Sequence, residues 1–375
     1  MTSVGLCMIV KNEAHVIERC LGSVRTFVDH WTIVDTGSTD GTQELIRALL
    51  GDTPGHLHER PWRDFGHNRS EALALARPHA DYSFVIDADE VLEAPTGFGW
   101  PDLTADAVHL QHRTGATTYR RASLVANRLA WLYRGVLHEY LEVPGVATAS
   151  TYLDGPVVSG LFDGGRSQGV SPAEKYARDA LVLEAALAAE PDNARYQYYL
   201  ARSYRDSGQL TKALEAFRRR AIMGGFDEEV ADSLFEVARH LETLQADPDE
   251  IVVAYLKAWE HRPSRAEALT ELARHAREAK RFPLARLVAQ QAMRLPRPAG
   301  DLLWVQEDVY SWRSEDEFAV ASYWTGHYAE SAAACRHLLA GDQLPAEQRA
   351  RVVANLDFAQ SRCPAEPGLL PAQRA

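Results

Sequence analysis

The sequence predicts two structural classes in one chain: an α/β, Rossmann-like N-terminal domain over residues 1–165 and an all-α helical-repeat domain over residues 171–362. Three observations carry this reading. Short apolar, β-rich runs at Val4–Val10, Trp31–Val34 and Ser83–Ile86 are separated by amphipathic stretches, the alternation expected of a largely parallel sheet. Between about Pro156 and Val170 the composition shifts to polar residues and glycine (Gly160, Gly164, Gly165, Gly169), which marks a boundary. From Ser171 onward the strand signal vanishes, and alanine, leucine, glutamate and arginine recur at helical spacing.

A chain of 375 residues is long enough for two domains with sizeable cores. With 52 acidic against 40 basic residues, its formal charge is −12, which disfavours a phosphate backbone as partner. The four cysteines (Cys7, Cys20, Cys335, Cys363) form no C-x-x-C pair and suggest neither a zinc site nor a disulfide framework; a reducing cytoplasm fits best. The first apolar run has no basic region before it and no small-residue cleavage site after it, so it reads as a buried strand and not as a signal peptide. No stretch approaches the roughly 20 apolar residues needed to cross a bilayer.

In a sheet of this class, ligands sit beyond the carboxyl ends of the strands. Those ends carry Lys11-Asn12-Glu13, Asp35-Thr36-Gly37-Ser38-Thr39-Asp40-Gly41-Thr42 and Asp87-Ala88-Asp89-Glu90. The third cluster gives the strongest signal: a hydrophobic strand delivers carboxylates two residues apart where the chain leaves regular pairing. Hard oxygen ligands suit Mg2+ or Mn2+, which bridge to diphosphate oxygens. Acidic pairs also occur after strands as caps or solvated turns, so the signal rests on its neighbours. In the second cluster, Ser38, Thr39 or Asp40 can cap the helix beginning near Thr42, whereas capping does not require Asp35. At its strand end Asp35 is placed to accept hydrogen bonds from a nucleoside.

Two further segments fit the same site. Gly66-His67-Asn68-Arg69 precedes an amphipathic helix, so Asn68 and Arg69 stand near a helix N-terminus, a natural place for an anion. Leu137-His138-Glu139 follows an aromatic, glycine-containing turn, and the His138–Glu139 pair is suited to taking a proton from an acceptor hydroxyl. Other features read as structural. Tyr196, Tyr198, Tyr199 and Tyr204 fit a helical core, Arg218-Arg219-Arg220 a solvated helix face, and His56 and His58 a loop without matching metal ligands.

The helical half carries an internal spacing. Leu200-Ala201, Tyr204, Gly208, Ala213 and Phe217 match one tetratricopeptide unit, a helix-turn-helix repeat of about 34 residues. Weaker copies run from Leu272-Ala273 through Ala285 and Ala292, and around Gly326, Cys335 and Leu338. Such arrays form concave surfaces suited to polypeptides. A plain helical bundle is the alternative. The segment 363–375, with three prolines, reads as a loose tail.

Taken together, Met8-Ile9-Val10-Lys11-Asn12-Glu13, Val34 to Thr42 and Asp87-Ala88-Asp89-Glu90 resemble a family 2 glycosyltransferase of the GT-A fold. Asn68-Arg69 and Leu137-His138-Glu139 resemble its branch of lipopolysaccharide-core glucosyltransferases. The helical half, through Tyr198-Tyr199-Leu200-Ala201 and Arg262 to Ala268, resembles glycosyltransferases with C-terminal tetratricopeptide repeats, some of whose relatives glycosylate peptides. The resemblance implies a nucleotide-sugar donor, UDP-linked in the first instance, and Mn2+ or Mg2+. It implies that Lys11, Asn12, Glu13, Asp35, Asn68 and Arg69 surround the donor, and that Asp87 and Asp89 hold the ribose or sugar and the metal. Glu139 would be the general base, with His138 beside the metal or acceptor. Many GT-A enzymes use a late histidine as a further metal ligand; Val158–Gly164 contains none, leaving Asp163, or diphosphate and water, to complete the shell.

The expectation is therefore a metal-dependent inverting transferase moving a hexose onto a protein, peptide or glycan held by the repeats, with a homo-oligomer left open. The competing reading is a non-catalytic, repeat-based binding scaffold with a decayed transferase domain. A nucleotidyltransferase using the same acidic pair is disfavoured by the lack of a glycine-rich triphosphate loop.

Overall fold

The computed structural model describes residues 2–115, 117–161, 163–165, 169–301 and 303–363. Residues 364–375 of the expected tail lie outside them. The chain divides into two compact units, Met1–Pro191 and Asp192–Ala375.

The first unit is built on one eight-stranded sheet, in the order β3-β2-β1-β4-β7-β6-β10-β5. Strands β1 (Val4–Val10), β2 (His30–Asp35), β3 (Gly55–Glu59) and β4 (Tyr82–Val85) are parallel neighbours. Three helices join them: α1 (Ile17–Val24), α2 (Thr42–Leu50) and α3 (Phe65–Ala76). Alternate residues of β1 face opposite sides, as the two-residue strand period requires. Leu6, Met8 and Val10 pack with Ile17, Leu21, Ile46 and Leu50, whereas Cys7 and Ile9 pack with Ala72, Leu73 and Ala76. Both faces are covered, which explains why β1 reads as one unbroken apolar run. On α1 the buried positions Ile17, Cys20, Leu21 and Val24 form a single helical stripe.

Beyond β4 the sheet is mixed, where the sequence suggested a largely parallel one. Strand β7 (Thr117–Ala126) runs antiparallel to both β4 and β6 (Ala107–Thr114). Strand β10 (Ser150–Gly160) is parallel to β6 and antiparallel to β5 (Glu90–Glu93). The reason is local: β6 and β7 form a hairpin that pairs Thr114 with Thr117, a connection too short for the crossover parallel strands need. A separate ribbon pairs β8 (Leu132–Arg134) with β9 (Tyr140–Glu142). Helix α4 (Pro172–Ala189) starts on a Ser171–Glu174 capping box. Its composition is that of the helical half, yet it belongs to the first unit.

In the second unit, α5 (Ala194–Asp206), α6 (Leu210–Ile222), α7 (Asp227–Thr243), α8 (Pro248–His261), α9 (Glu267–Glu278) and α10 (Phe282–Ala292) follow one another. Helices α11 (Ser314–Trp324), α12 (Tyr328–Ala340) and α13 (Ala346–Arg362) complete the array. The first helix of each of four pairs ends on a left-handed residue: Gly208, Gln245, Lys280 and Gly326, with φ of 80°, 55°, 57° and 82°. The next residue donates its N–H to a carbonyl five positions back, Gln209 to Tyr204, Ala246 to Leu241, Arg281 to Ala276 and His327 to Ser322, at 2.8, 2.9, 2.7 and 2.9 Å. This is the Schellman termination, used identically four times. At the same distance before each turn stand Ala201, Ala238, Ala273 and Ala319, all buried. The second unit is thus a tetratricopeptide-like helical repeat. Among the described residues no helix is long and apolar enough to cross a membrane.

Candidate active site

A cleft of about 840 Å³ opens in the first unit where β1 and β4 end, within the size range of small-molecule sites. Lys11, Asn12, Glu13, Arg69, Asp87, Asp89, His138 and Glu139 all line it. These eight expected residues come from segments far apart in sequence.

Strand β1 delivers the first three. Asn12 adopts a left-handed conformation (φ 57°), its N–H donating to Ser38 Oγ and its Oδ1 accepting from the Thr39 N–H, both at 2.8 Å. Glu13 donates its N–H to Thr42 Oγ1, and Asp40 accepts from the Ala14 N–H and the Thr42 hydroxyl. The Ser38–Thr42 loop thus clamps the β1 end, and Asp40 is structural. Asp35 Oδ1 accepts from the N–H groups of Gly37 and Ser38, at 2.9 Å each, and from Gln43. Its Oδ2 is buried without a partner among the described residues, a state that calls for an explanation in a native structure. Asp35 itself does not line the cleft; its neighbour Thr36 does.

Strand β4 and the following turn present Asp87 and Asp89. Glu90 templates that turn by accepting the Asp87 N–H at 3.0 Å. Burial opposes charge on Glu90, yet the His112 ring 3.6 Å away and the charge of Arg121 outweigh it and hold its carboxyl well below the usual range. Asp89 is shifted the other way: burial raises it, and the charges of Asp87 and Glu90 add to the effect. Burial likewise pushes Glu13 up to about 7, against the hydrogen bond that its Oε2 accepts from the Gly165 N–H at 2.9 Å. Two carboxylates resisting ionisation in one cleft favour a cation between ligand and protein.

Helix α3 delivers Arg69. Asp64 caps the helix by accepting the His67 N–H. Gly66 then lets it approach the β8 end, where a Cβ would lie 2.5 Å from the Gly135 carbonyl oxygen. Gly135 (φ 113°) in turn folds the loop back until its own Cβ position is 3.4 Å from Glu139 Cα. These two close approaches bring Arg69 between two carboxylates. Its Nη2 lies 2.5 Å from Asp87 Oδ1, and its Nε 2.7 Å from Glu139 Oε1. The second contact is an ion pair whose N–H direction is not aligned for a hydrogen bond. The Arg69 guanidinium also lies over the Tyr133 ring, 5.6 Å from its centroid.

Asn68 stands behind the wall of the cleft, contrary to the donor-side place expected of it. It is fully buried, accepts the Arg63 N–H and donates to the Pro61 carbonyl; both ends of its amide are spent holding the loop whose Trp62 and Arg63 face the cleft. Asp163, the expected substitute for a late metal-binding histidine, is instead bound in bidentate fashion by Arg19, at 2.8 and 3.0 Å. Nor does it line the cleft. His56 and His58, read as loop residues, lie on β3.

Several contributors escaped the sequence reading. Arg121 Nη2 pairs with Glu90 at 2.7 Å and its Nη1 stands 3.8 Å from Asp87. Lys175 and Arg178, from α4, add cationic lining. Gly164 and Gly165, read as a boundary signal, are contact glycines: a Cβ on the first would lie 3.0 Å from Asp89 Oδ2, and one on the second 2.5 Å from the Asn12 carbonyl oxygen. No local motif announces Arg121; the two adjacent glycines were the available signal for the second pair.

For a divalent ion, the chain offers Asp89 as the least committed carboxylate, with Asp87 beside it but already paired to Arg69 and Arg121. All are oxygen ligands, the chemistry of Mg2+ or Mn2+, which retain waters and bind through one or two carboxylates plus substrate phosphates. The residues present fit such an ion.

Parts of the chain are similar to known proteins. Residues 6–95 match the family model described as Glycosyl transferase family 2. A TPR repeat-containing protein of Synechococcus elongatus is 35% identical over 151 residues, 38% of this chain and 36% of that protein. The lipopolysaccharide core biosynthesis glycosyltransferase LpsC of Rhizobium meliloti is 32% identical over 99 residues, 26% of this chain and 36% of that one. The chain thus spans about a third of the length of these relatives. A solved tetratricopeptide repeat protein from Parabacteroides merdae superposes with a TM-score of 0.37 at 16% identity, over 50% of this chain and 71% of that one. Residues 6–95, which include the β1 and β4 ends that build the cleft, are thus similar to family 2 glycosyltransferases.

Proposed function

We propose that the chain is a metal-dependent, inverting glycosyltransferase that moves a hexose from a nucleotide sugar, UDP-linked in the first instance, to an acceptor recruited by the helical repeats. The observation that carries this reading is Arg69, held between Asp87 and Glu139 inside the cleft of a family 2 domain.

Each part of the cleft has a task. Thr36 lines the cleft, and Asp35, which does not but whose Oδ2 has no partner among the described residues, would reach an N–H or O–H of the nucleoside past it. Lys11, Lys175 and Arg178 supply positive charge for a diphosphate. Asp89, with Asp87, would hold Mn2+ or Mg2+, which neutralises charge developing on the departing diphosphate. Arg69 fixes the Glu139 carboxylate through Oε1. Glu139 takes the proton of the acceptor hydroxyl as that oxygen bonds to the anomeric carbon, while the bond from that carbon to the diphosphate oxygen breaks and its electron pair leaves with the nucleoside diphosphate. His138, in the cleft with a left-handed backbone (φ 52°), borders the acceptor side.

Helix-pair arrays offer extended concave surfaces, which favours a protein or peptide acceptor over a lipid-linked glycan. The test is a donor screen with Mn2+, read by mass spectrometry against candidate acceptor proteins from the same source. Hexose transfer from one nucleotide sugar is the expected result. No hydrolysis of any donor, and no thermal shift with nucleoside diphosphates, would leave a binding scaffold in its place.

A further inference from the structure

The geometry points to a second metal site in the first unit: His30, His56 and His79 form a three-imidazole site for a borderline divalent cation, Zn2+ in the first instance, with water completing the shell. The three residues are 26 and 23 positions apart in sequence and converge only through the sheet. His30 opens β2, His56 is the second residue of β3, where it neighbours the Thr32 position, and His79 follows α3 just before β4. All three therefore sit at the amino ends of parallel strands, whereas the cleft lies at the carboxyl ends.

One ring nitrogen from each histidine lies within 4.8 Å of the others. The rings of His30 and His79 are stacked with centroids 4.3 Å apart, and His56 stands 5.3 Å from the first and 4.9 Å from the second. Three imidazoles suit Zn2+, Cu2+ or Ni2+, whereas Mg2+ and Mn2+ prefer oxygen. A Zn–N bond is about 2.0–2.1 Å, so the stacked pair must open for all three nitrogens to meet one ion. His56 and His79 are exposed and have the freedom to turn, while buried His30 serves as the fixed post. A bound ion would tie β2, β3 and the turn after α3 together without entering the cleft.

The test uses the full chain, stripped with chelator and desalted, titrated with zinc chloride by calorimetry and followed by thermal denaturation. One Zn2+ per chain and a raised Tm are expected. His56→Ala and His79→Ala, at exposed positions that the fold tolerates, should each weaken binding by about 10-fold or more. Asp89→Asn should leave it unchanged, and excess Mn2+ should not compete. Unchanged zinc affinity in both histidine variants, or loss of zinc binding in Asp89→Asn, would overturn the proposal, the latter by placing the ion in the cleft. Neither outcome depends on transferase activity, so the proposal stands or falls apart from the reading of the cleft.

Discussion

Arg69 Nη2 lies 2.5 Å from Asp87 Oδ1, a charge-assisted contact that joins the second turn of α3 to the turn that follows β4. Burial works against the Arg69 cation, yet the charges of Asp87 and Glu139 outweigh it and raise its pKa further, so the guanidinium is a permanent positive centre. Its two contacts use different nitrogens, and that fork is what lysine lacks.

Arg69→Lys should therefore keep the charge but reach only one carboxylate at a time. We expect kcat to fall about 100-fold, in the range attached to misplaced catalytic groups. Arg69→Met would strand two carboxylates. Breaking a fully buried pair costs about 3–5 kcal/mol, and the 28% exposure of the Asp87 side chain reduces this to about 1–3 kcal/mol. Steady-state kinetics and urea denaturation of both variants check these outcomes.

Asp89 and Glu139 should separate on different readouts. Asp89→Asn removes the least committed carboxylate, so Mn2+-dependent donor binding should be lost while Tm holds or rises, because burial and two like charges already disfavour its ionised form. Glu139→Gln should keep nucleoside diphosphate binding and lose about 100-fold or more in transfer, the usual scale for general base removal. Calorimetry with the diphosphate, with and without Mn2+, distinguishes the two.

Glu13 gives the fold a pH signature. Its carboxyl has an ordinary value of 4.5 and a folded-state value of about 7, so between these limits the folded chain holds a proton that the unfolded chain has released. Its contribution to stability is fully present below about 4.5 and is lost as pH rises toward about 7. Glu13→Gln should flatten that part of the stability profile and raise Tm at pH 8 relative to the parent. Denaturation midpoints across pH 4.5 to about 8 measure the slope, and identical slopes in the two proteins would refute the assignment.

Gly165→Ala tests the close approach behind the same carboxylate. The added Cβ would stand 2.5 Å from the Asn12 carbonyl oxygen, a backbone atom that cannot swing away. The loop must move, and with it the N–H that Glu13 accepts. A stability loss of about 1–3 kcal/mol, typical of overpacking, should accompany weaker donor binding. Gly99→Ala, where a Cβ meets nothing within 4 Å, is the matched control.

What the sequence made legible was what local pattern encodes. Val4–Val10 announced a doubly covered strand because every position is apolar, and Asp87-Ala88-Asp89 marked a strand end because polarity changes there abruptly. Arg121 left no such trace: it reaches Glu90 and Asp87 from an antiparallel strand whose pairing is set by β6 and β4. Gly164 and Gly165 were visible as glycines, but the reason for them lies in Asp89 and Asn12, distant along the chain. Asn68 misled because a polar residue at a helix start suits an anion and a loop brace equally well. His30 and His79 are isolated in sequence and become neighbours of His56 only once β2 pairs with β3 and β4 joins the sheet through β1. Of the four helix pairs, α7 and α8, which turn on Gln245, went unseen, whereas α9 and α10, which turn on Lys280, were legible through Leu272-Ala273, Ala285 and Ala292.

That substitution of Gln245, and of Lys280 in the next pair, has an energetic consequence. Both residues hold left-handed backbone conformations, φ 55° and 57°, which cost a side chain about 1–2 kcal/mol relative to its preferred regions. Glycine adopts the conformation freely but enlarges the entropy of the unfolded chain. The balance favours Gln245→Gly and Lys280→Gly by about 0.5–1 kcal/mol each, in proportion to what a C′ glycine contributes to a Schellman turn. The two turns lie in separate helix pairs, so the gains should add. Gly208→Ala is the reverse experiment: it meets no atom within 4 Å, yet φ is 80°, so backbone strain alone should destabilise the array. Equilibrium urea unfolding of the full chain, followed by circular dichroism at 222 nm where the helices dominate, should show the glycine variants shifted to higher midpoint and Gly208→Ala to lower. Equal midpoints for parent, Lys280→Gly and Gly208→Ala would mean that these turns do not limit the stability of the repeats.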